Sequence, residues 1–176
     1  MKRYIVLTLL FLILVLVLPT VGCLSEAERY YNTGVELQGK GRLEEALAEY
    51  NEAIRLDSKL SDAYHNRGIV YDELGEYDKA IVDYTKAIET DPNHAEAYYN
   101  RGNAYSSIGE DDKAIADYTK AIEIDPNHAL AYFRRGLSYG LTRELAKMVS
   151  DFENAIELSN DPEFVANVHD LLDELR

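Results

Sequence analysis

Between residues 95 and 124 the apolar and polar positions follow the period of two short helices. Tyr98, Tyr105 and Ile108 lie three or seven apart, the spacing of one helix face. After Gly109, the positions Ala114, Ile115, Tyr118, Ala121 and Ile122 recur at three, four, seven and eight, a single apolar stripe on a second helix. Gly109 ends the first helix, Asp125 and Pro126 end the second, and Asn127 is placed to cap the next.

The unit is repeated along most of the chain at a spacing of 34 residues. Tyr30, Tyr64, Tyr98 and Tyr132 stand in register, followed by Gly34, Gly68, Gly102 and Gly136. At fixed offsets come Leu37, Tyr71, Tyr105 and Tyr139, then Tyr50, Tyr84, Tyr118 and Phe152, then Ala53, Ala87, Ala121 and Ala155. The pattern predicts helix pairs over 27–39 and 43–56, 61–73 and 77–90, 95–107 and 111–124, and 129–141 and 144–158. A period of this length marks an all-α solenoid, because one such unit cannot bury its apolar face alone and must stack on its neighbours. Stacking produces an extended surface, so function is sought first in binding. A glycine inside each first helix costs about 1 kcal/mol of helix propensity against alanine, which points to close approach of the paired helix.

These residues resemble the tetratricopeptide repeat family over residues 27–162, divided as 27–60, 61–94, 95–128 and 129–162. Repeat two reads Tyr64, Gly68, Tyr71, Ala80, Tyr84, Ala87 and Pro92, and repeat three reads Tyr98, Gly102, Tyr105, Ala114, Tyr118, Ala121 and Pro126. Tyr stands where the family usually has Trp, and Thr33, Arg67, Arg101 or Arg135 where it has Leu. Repeat one has Ser58 in place of proline. Repeat four is degenerate, with Met148 where Ala46, Ala80 and Ala114 stand in the others. The resemblance implies a right-handed α-solenoid. After Pro162, residues 163–176 read as a capping helix, with Phe164, Val165, Val168, Leu171 and Leu172 apolar and Asp170, Asp173 and Glu174 polar; a terminal cap with a polar outer face keeps such a stack soluble.

Residues 1–22 are of another character. Lys2 and Arg3 precede an apolar run from Ile5 to Leu18 interrupted only by Thr8, the composition of a signal peptide or membrane anchor. Thr20-Val21-Gly22-Cys23 resembles the lipobox of prokaryotic lipoproteins, which implies lipidation at Cys23, with residues 23–26 as a short linker; Thr20 departs from the usual Leu. An uncleaved anchor and simple secretion are the alternatives. The basic start places the repeats on the extracytoplasmic side in each case. Cys23 is the sole cysteine, so no disulfide forms within the chain.

The chain carries 18 basic and 32 acidic residues. Removal of residues 1–22 takes Lys2 and Arg3 and leaves 16 against 32, a net charge of −16. Nucleic acid is excluded as a partner, because phosphate binding needs clustered Lys and Arg. The acids suit a soluble solenoid exterior and leave room for a basic protein or peptide.

The candidate binding residues lie at offsets the core does not need. Asn32, Asn66, Asn100 and Arg134 occupy one offset on the first helices, and Tyr31, His65, Tyr99 and Phe133 the offset before. The family resemblance implies that first helices line a concave groove. An amide offers donor and acceptor, so an asparagine row can pair with the backbone of an extended peptide, or else bond within the solenoid. A carboxylate clamp of the family's kind is half present: Asn100 and Arg134 match two of its positions, whereas Glu96 and Leu130 stand where basic residues are wanted, and repeat one offers Tyr31 and Val35. His94 and His128 recur as a repeat echo rather than at ligand spacing, so no metal or cofactor is expected. No nucleophile, phosphate-loop or metalloprotease motif is present, and the chain reads as a non-enzyme. The expected function is that of a membrane-anchored interaction module binding a peptide or protein in its groove. The alternative is a scaffold that stacks with itself or with envelope proteins through its end faces, its oligomeric state left open.

Overall fold

The computed structural model describes residues 24–174, so the expected leader and Cys23 lie outside the described residues. The described chain is entirely helical: α1 (Glu26–Gly39), α2 (Leu43–Leu56), α3 (Ser61–Glu73), α4 (Tyr77–Thr90), α5 (Ala95–Ser107), α6 (Asp111–Ile124), α7 (Ala129–Leu141), α8 (Leu145–Leu158) and α9 (Pro162–Glu174). None of these helices is long and apolar enough to cross a membrane.

Sequence chemistry accounts for the boundaries. Ser25 opens α1 with a capping box: its Oγ accepts the Glu28 N–H at 3.1 Å, and the Glu28 carboxylate accepts the Ser25 N–H at 2.7 Å, meeting two backbone donors that the first turn leaves unpaired. Gly41, Gly75 and Gly109 take positive φ in the turns between paired helices, the left-handed conformation that closes a helix C-terminus. Repeat four puts Arg143 there at φ 64°, a conformation that costs a side-chain-bearing residue about 1–2 kcal/mol. Between repeats the expectation that Asn127 caps α7 is corrected. Its N–H is taken by Asp125 Oδ1 at 3.0 Å, which holds Asn127 in the turn, and the helix starts one residue later with His128 at the cap position. At the equivalent place before α5, His94 Nδ1 accepts the Ala97 N–H.

Each helix pair closes on one aromatic ring. Tyr50, Tyr84, Tyr118 and Phe152 are buried beside the glycine of the paired helix. A methyl group on Gly102 would lie 2.7 Å from Tyr118 Cε1, well inside contact distance, which explains the glycine in mid-helix. Repeat four exchanges large for small: Met148 stands where the other repeats have alanine, and its sulfur would lie only 2.8 Å from a Cβ on Gly140. Met148 and Phe152 then form a terminal core with Val168 and Leu172 of α9. The expected cap is thus a packed helix, with Leu171 left at its exposed edge.

Every helix packs on its sequence neighbours. Beyond these, α1 touches α3, α3 touches α5 and α5 touches α7, whereas the second helices do not touch one another. Since first helices converge and second helices spread, the stack curves, and its concave wall is made of α1, α3, α5 and α7.

Candidate functional site

The concave wall brings the expected rows together, and it does so across repeats. Asn66 Nδ2 donates to Tyr31 Oη at 3.1 Å, and Asn100 Nδ2 lies 3.0 Å from His65 Nε2. Each asparagine of α3 and α5 therefore bonds the aromatic of the preceding first helix, using part of an amide's capacity of two donors and two lone pairs. Asn32, with no first helix before it, is exposed, and Arg134 is exposed at the far end. The aromatics lean on the rings beneath them: Tyr31 on Tyr50 at 6.1 Å, His65 on Tyr84 at 5.8 Å and Tyr99 on Tyr118 at 6.0 Å between centroids. Phe133 departs from the row. It packs on Phe152 and edge-on against Phe164 of α9, so the cap draws it into the terminal core.

The recurring histidines are part of the seams between repeats. The His94 ring lies 4.5 Å from His65, and the His128 ring 4.7 Å from Tyr99. Asp62 and Glu96 stand opposite His94 and His128 at 3.7 and 3.4 Å. No group of three or more His, Cys, Asp or Glu among the described residues is arranged to hold a metal ion.

His65 carries the clearest titration in the groove. An amide nitrogen can only donate, so the contact with Asn100 makes His65 Nε2 an acceptor and the ring neutral. Burial, reinforced by the neighbouring His94, lowers its pKa from 6.5 to about 4. Above pH 6.5 neither folded nor unfolded chain protonates this residue. As the pH falls toward 4 the unfolded chain takes up the proton first, so stability is lost through that window. We expect a loss of about 2–3 kcal/mol from this site between pH 7 and 4.5. Urea unfolding of His65→Tyr, which copies the residues at the same offset in repeats one and three, should show that much less acid sensitivity. Equal sensitivity in both proteins would refute the assignment.

Two features were not read from the sequence. Arg67, Arg101 and Arg135, which stand where the family has Leu, make bidentate ion pairs with Asp83, Asp117 and Asp151 at 2.7–2.8 Å. Arg101 and Arg135 each also donate at 3.0 Å to Thr85 and Thr119 on the helix before, and Arg67 donates to Asn51. One guanidinium thus joins three successive helices. The signal was present as an Arg and an Asp 16 residues apart in three repeats. Repeat one lacks it, having Thr33 and Glu49.

The second feature is the polar lining further along the first helices. The buried tyrosines reach through to it: Tyr50 Oη donates to Gln38 Oε1 at 2.8 Å, Tyr84 Oη approaches Asp72 at 3.4 Å, and Tyr118 Oη donates to Asn103 Oδ1 at 2.9 Å. Burial raises the pKa of the Asp72 carboxyl, whose Oδ1 is buried without a hydrogen-bond donor.

The comparisons with known proteins agree with this geometry. Tetratricopeptide repeat profiles match residues 95–128 and 117–157, and a TPR repeat profile matches 34–75 and 70–109. Against curated protein sequences the chain finds no match. Among solved structures it is similar to MamA, at 31% identity and a TM-score of 0.73 over 76% of this chain and 78% of that one. It is also similar to the first TPR of Spaghetti (RPAP3) bound to the HSP90 peptide SRMEEVD, at 28% identity and 0.61 over 68% and 95%. MamA from Desulfovibrio magneticus RS-1, at 24% identity and 0.74 over 85% and 86%, shares the fold. By its repeats, their packing and these matches, the chain belongs to the tetratricopeptide repeat family.

Proposed function

We propose that this protein is a membrane-anchored interaction module that holds an extended peptide segment of a protein partner on the concave wall of α1, α3, α5 and α7. The observation that carries the reading is the row Tyr31, Asn66, His65 and Asn100, joined from repeat to repeat by hydrogen bonds. These bonds orient polar groups that the core does not require, and a site held in place before binding loses less entropy on association. A similar fold seats a seven-residue peptide, which supports the reading. Asn66→Ala/Asn100→Ala should weaken capture of a cross-linked partner from native membranes by at least about tenfold, the loss of one or two hydrogen bonds to a desolvated ligand. An unchanged partner set would move binding to the convex face or the cap.

Self-association is the second reading, favoured by Leu141 and Leu145, 69% and 56% exposed at the α7–α8 turn of repeat four. A concentration-dependent dimer that survives the double asparagine variant and dissociates in Leu141→Ser/Leu145→Ser would establish it.

The anchoring proposal rests on residues 1–22 and Cys23, and places the repeats outside the plasma membrane. An impermeant protease added to intact cells should digest the repeats. Full protection would overturn the placement.

A further inference from the structure

Two hollows lie side by side on the concave wall and share Ser107. The first, about 400 Å³ between α3 and α5, is lined by Asp72, Glu73 and Asn100. The second, about 250 Å³ between α5 and α7, is lined by Asn103, Ser106 and Arg134 over the Tyr118 hydroxyl. They occupy nearly the same place one repeat apart, yet carboxylates line the first and a guanidinium lines the second. The first presents carboxylates, and Asp72 Oδ1 is a buried acceptor without a donor. The second is lined by donors, namely the Arg134 guanidinium, the Ser106 hydroxyl and the amide N–H groups of Asn103, whose oxygen is already taken by Tyr118, with the Asp111 carboxylate, its Oδ1 likewise buried without a donor, acting on the Tyr118 hydroxyl from outside that lining.

Resting on the groove reading above, we infer that the ligand is a dipolar extended segment, with a lysine or arginine seated at Asp72 and Glu73 and a carboxylate seated at Arg134, Asn103 and Ser106. Charge complementarity selects this occupant: a uniformly basic segment meets Arg134, and a uniformly acidic one meets Asp72 and Glu73. The spacing follows from the solenoid. First helices of adjacent repeats pack on the order of 10 Å apart, and an extended chain advances about 3.3 Å per residue. The two charges therefore stand about three residues apart in the ligand.

The test uses the full-length chain in detergent and capped, fluorescently labelled peptides with a serine–threonine background. These carry lysine and glutamate three positions apart in either order, or lysine at both positions, or glutamate at both. One of the two mixed orders should bind about tenfold more tightly than either like-charged peptide. Asp72→Asn should abolish the preference for lysine, and Arg134→Gln the preference for glutamate. Arg134→Glu should bind the double-lysine peptide more tightly than the native chain does, a gain that misfolding cannot produce. Affinities within threefold across the four peptides, or binding of none, would overturn the inference. If they do, a membrane partner still lost in Asn66→Ala/Asn100→Ala shows that the groove reading stands without it, and a partner retained there shows that both fail.

Discussion

Replacing Arg101 by methionine is expected to cost about 3–5 kcal/mol of unfolding free energy, and replacing Arg101 and Asp117 together by methionine and leucine to return most of that loss. The asymmetry comes from burial. The side chains of Arg101 and Asp117 are 16% and 8% exposed, so removing the guanidinium leaves a mostly buried carboxylate without its ion-pair partner. Removing both charges avoids that penalty. Thr85 loses a partner in either case and accounts for the part not recovered. The surface pair Lys120–Glu123, with both side chains more than half exposed, is the control, and Lys120→Ala should change stability by less than about 1 kcal/mol. Urea midpoints for the four proteins decide the matter. A single Arg101 substitution no worse than the surface control would show that the ladder does not hold the repeats together.

Tyr118→Ala should destabilise by about 3–5 kcal/mol, the range for emptying a buried aromatic site, while Tyr118→Phe should cost only about 1 kcal/mol, the net worth of one hydrogen bond. The ring fills the gap between α5 and α6 against Gly102 and is fully buried, so alanine leaves a cavity between two rigid helices. The hydroxyl only reaches Asn103 at the rim, and Phe152 occupies the same place in repeat four without one. Because each repeat touches only its neighbours, the cavity should loosen repeats three and four before repeat one. Hydrogen exchange would show faster amides in α5 to α8 than in α1 and α2. A Phe variant as damaging as Ala would mean that the hydroxyl, not the ring, carries the stability.

Helix positions were legible because they rest on local chemistry. Glycine with positive φ, aspartate turns and the stripe of Ala114, Tyr118 and Ala121 act within a dozen residues, and all four pairs begin and end within one residue of the periodic pattern. Asn127 suits a cap by residue type, but Asp125 holds its N–H in the turn, and the cap position falls to His128, whose side chain makes no capping bond.

The groove is a different case. The repeat offsets put Asn66 with Asn100 and Tyr31 with His65 in two rows on the first helices, and the family resemblance set those rows in the groove. That Asn66 reaches Tyr31 rather than its own repeat, or that Phe133 turns into the cap, depends on how far one repeat is shifted and rotated against the next. No window of sequence contains that displacement. The Arg–Asp ladder was hidden for the same reason, since an arginine and an aspartate 16 residues apart are charges on two separate helices until the helices are packed.

Periodicity and nearest-neighbour sterics are enough to establish the repeat, the helices and the buried aromatic in each unit, and composition gives the charge of the chain. The curvature, the three-helix guanidinium links and the neighbouring hollows at Asp72 and Arg134 come from packing between repeats. These arise only when first helices converge and place side chains from different repeats within hydrogen-bonding distance.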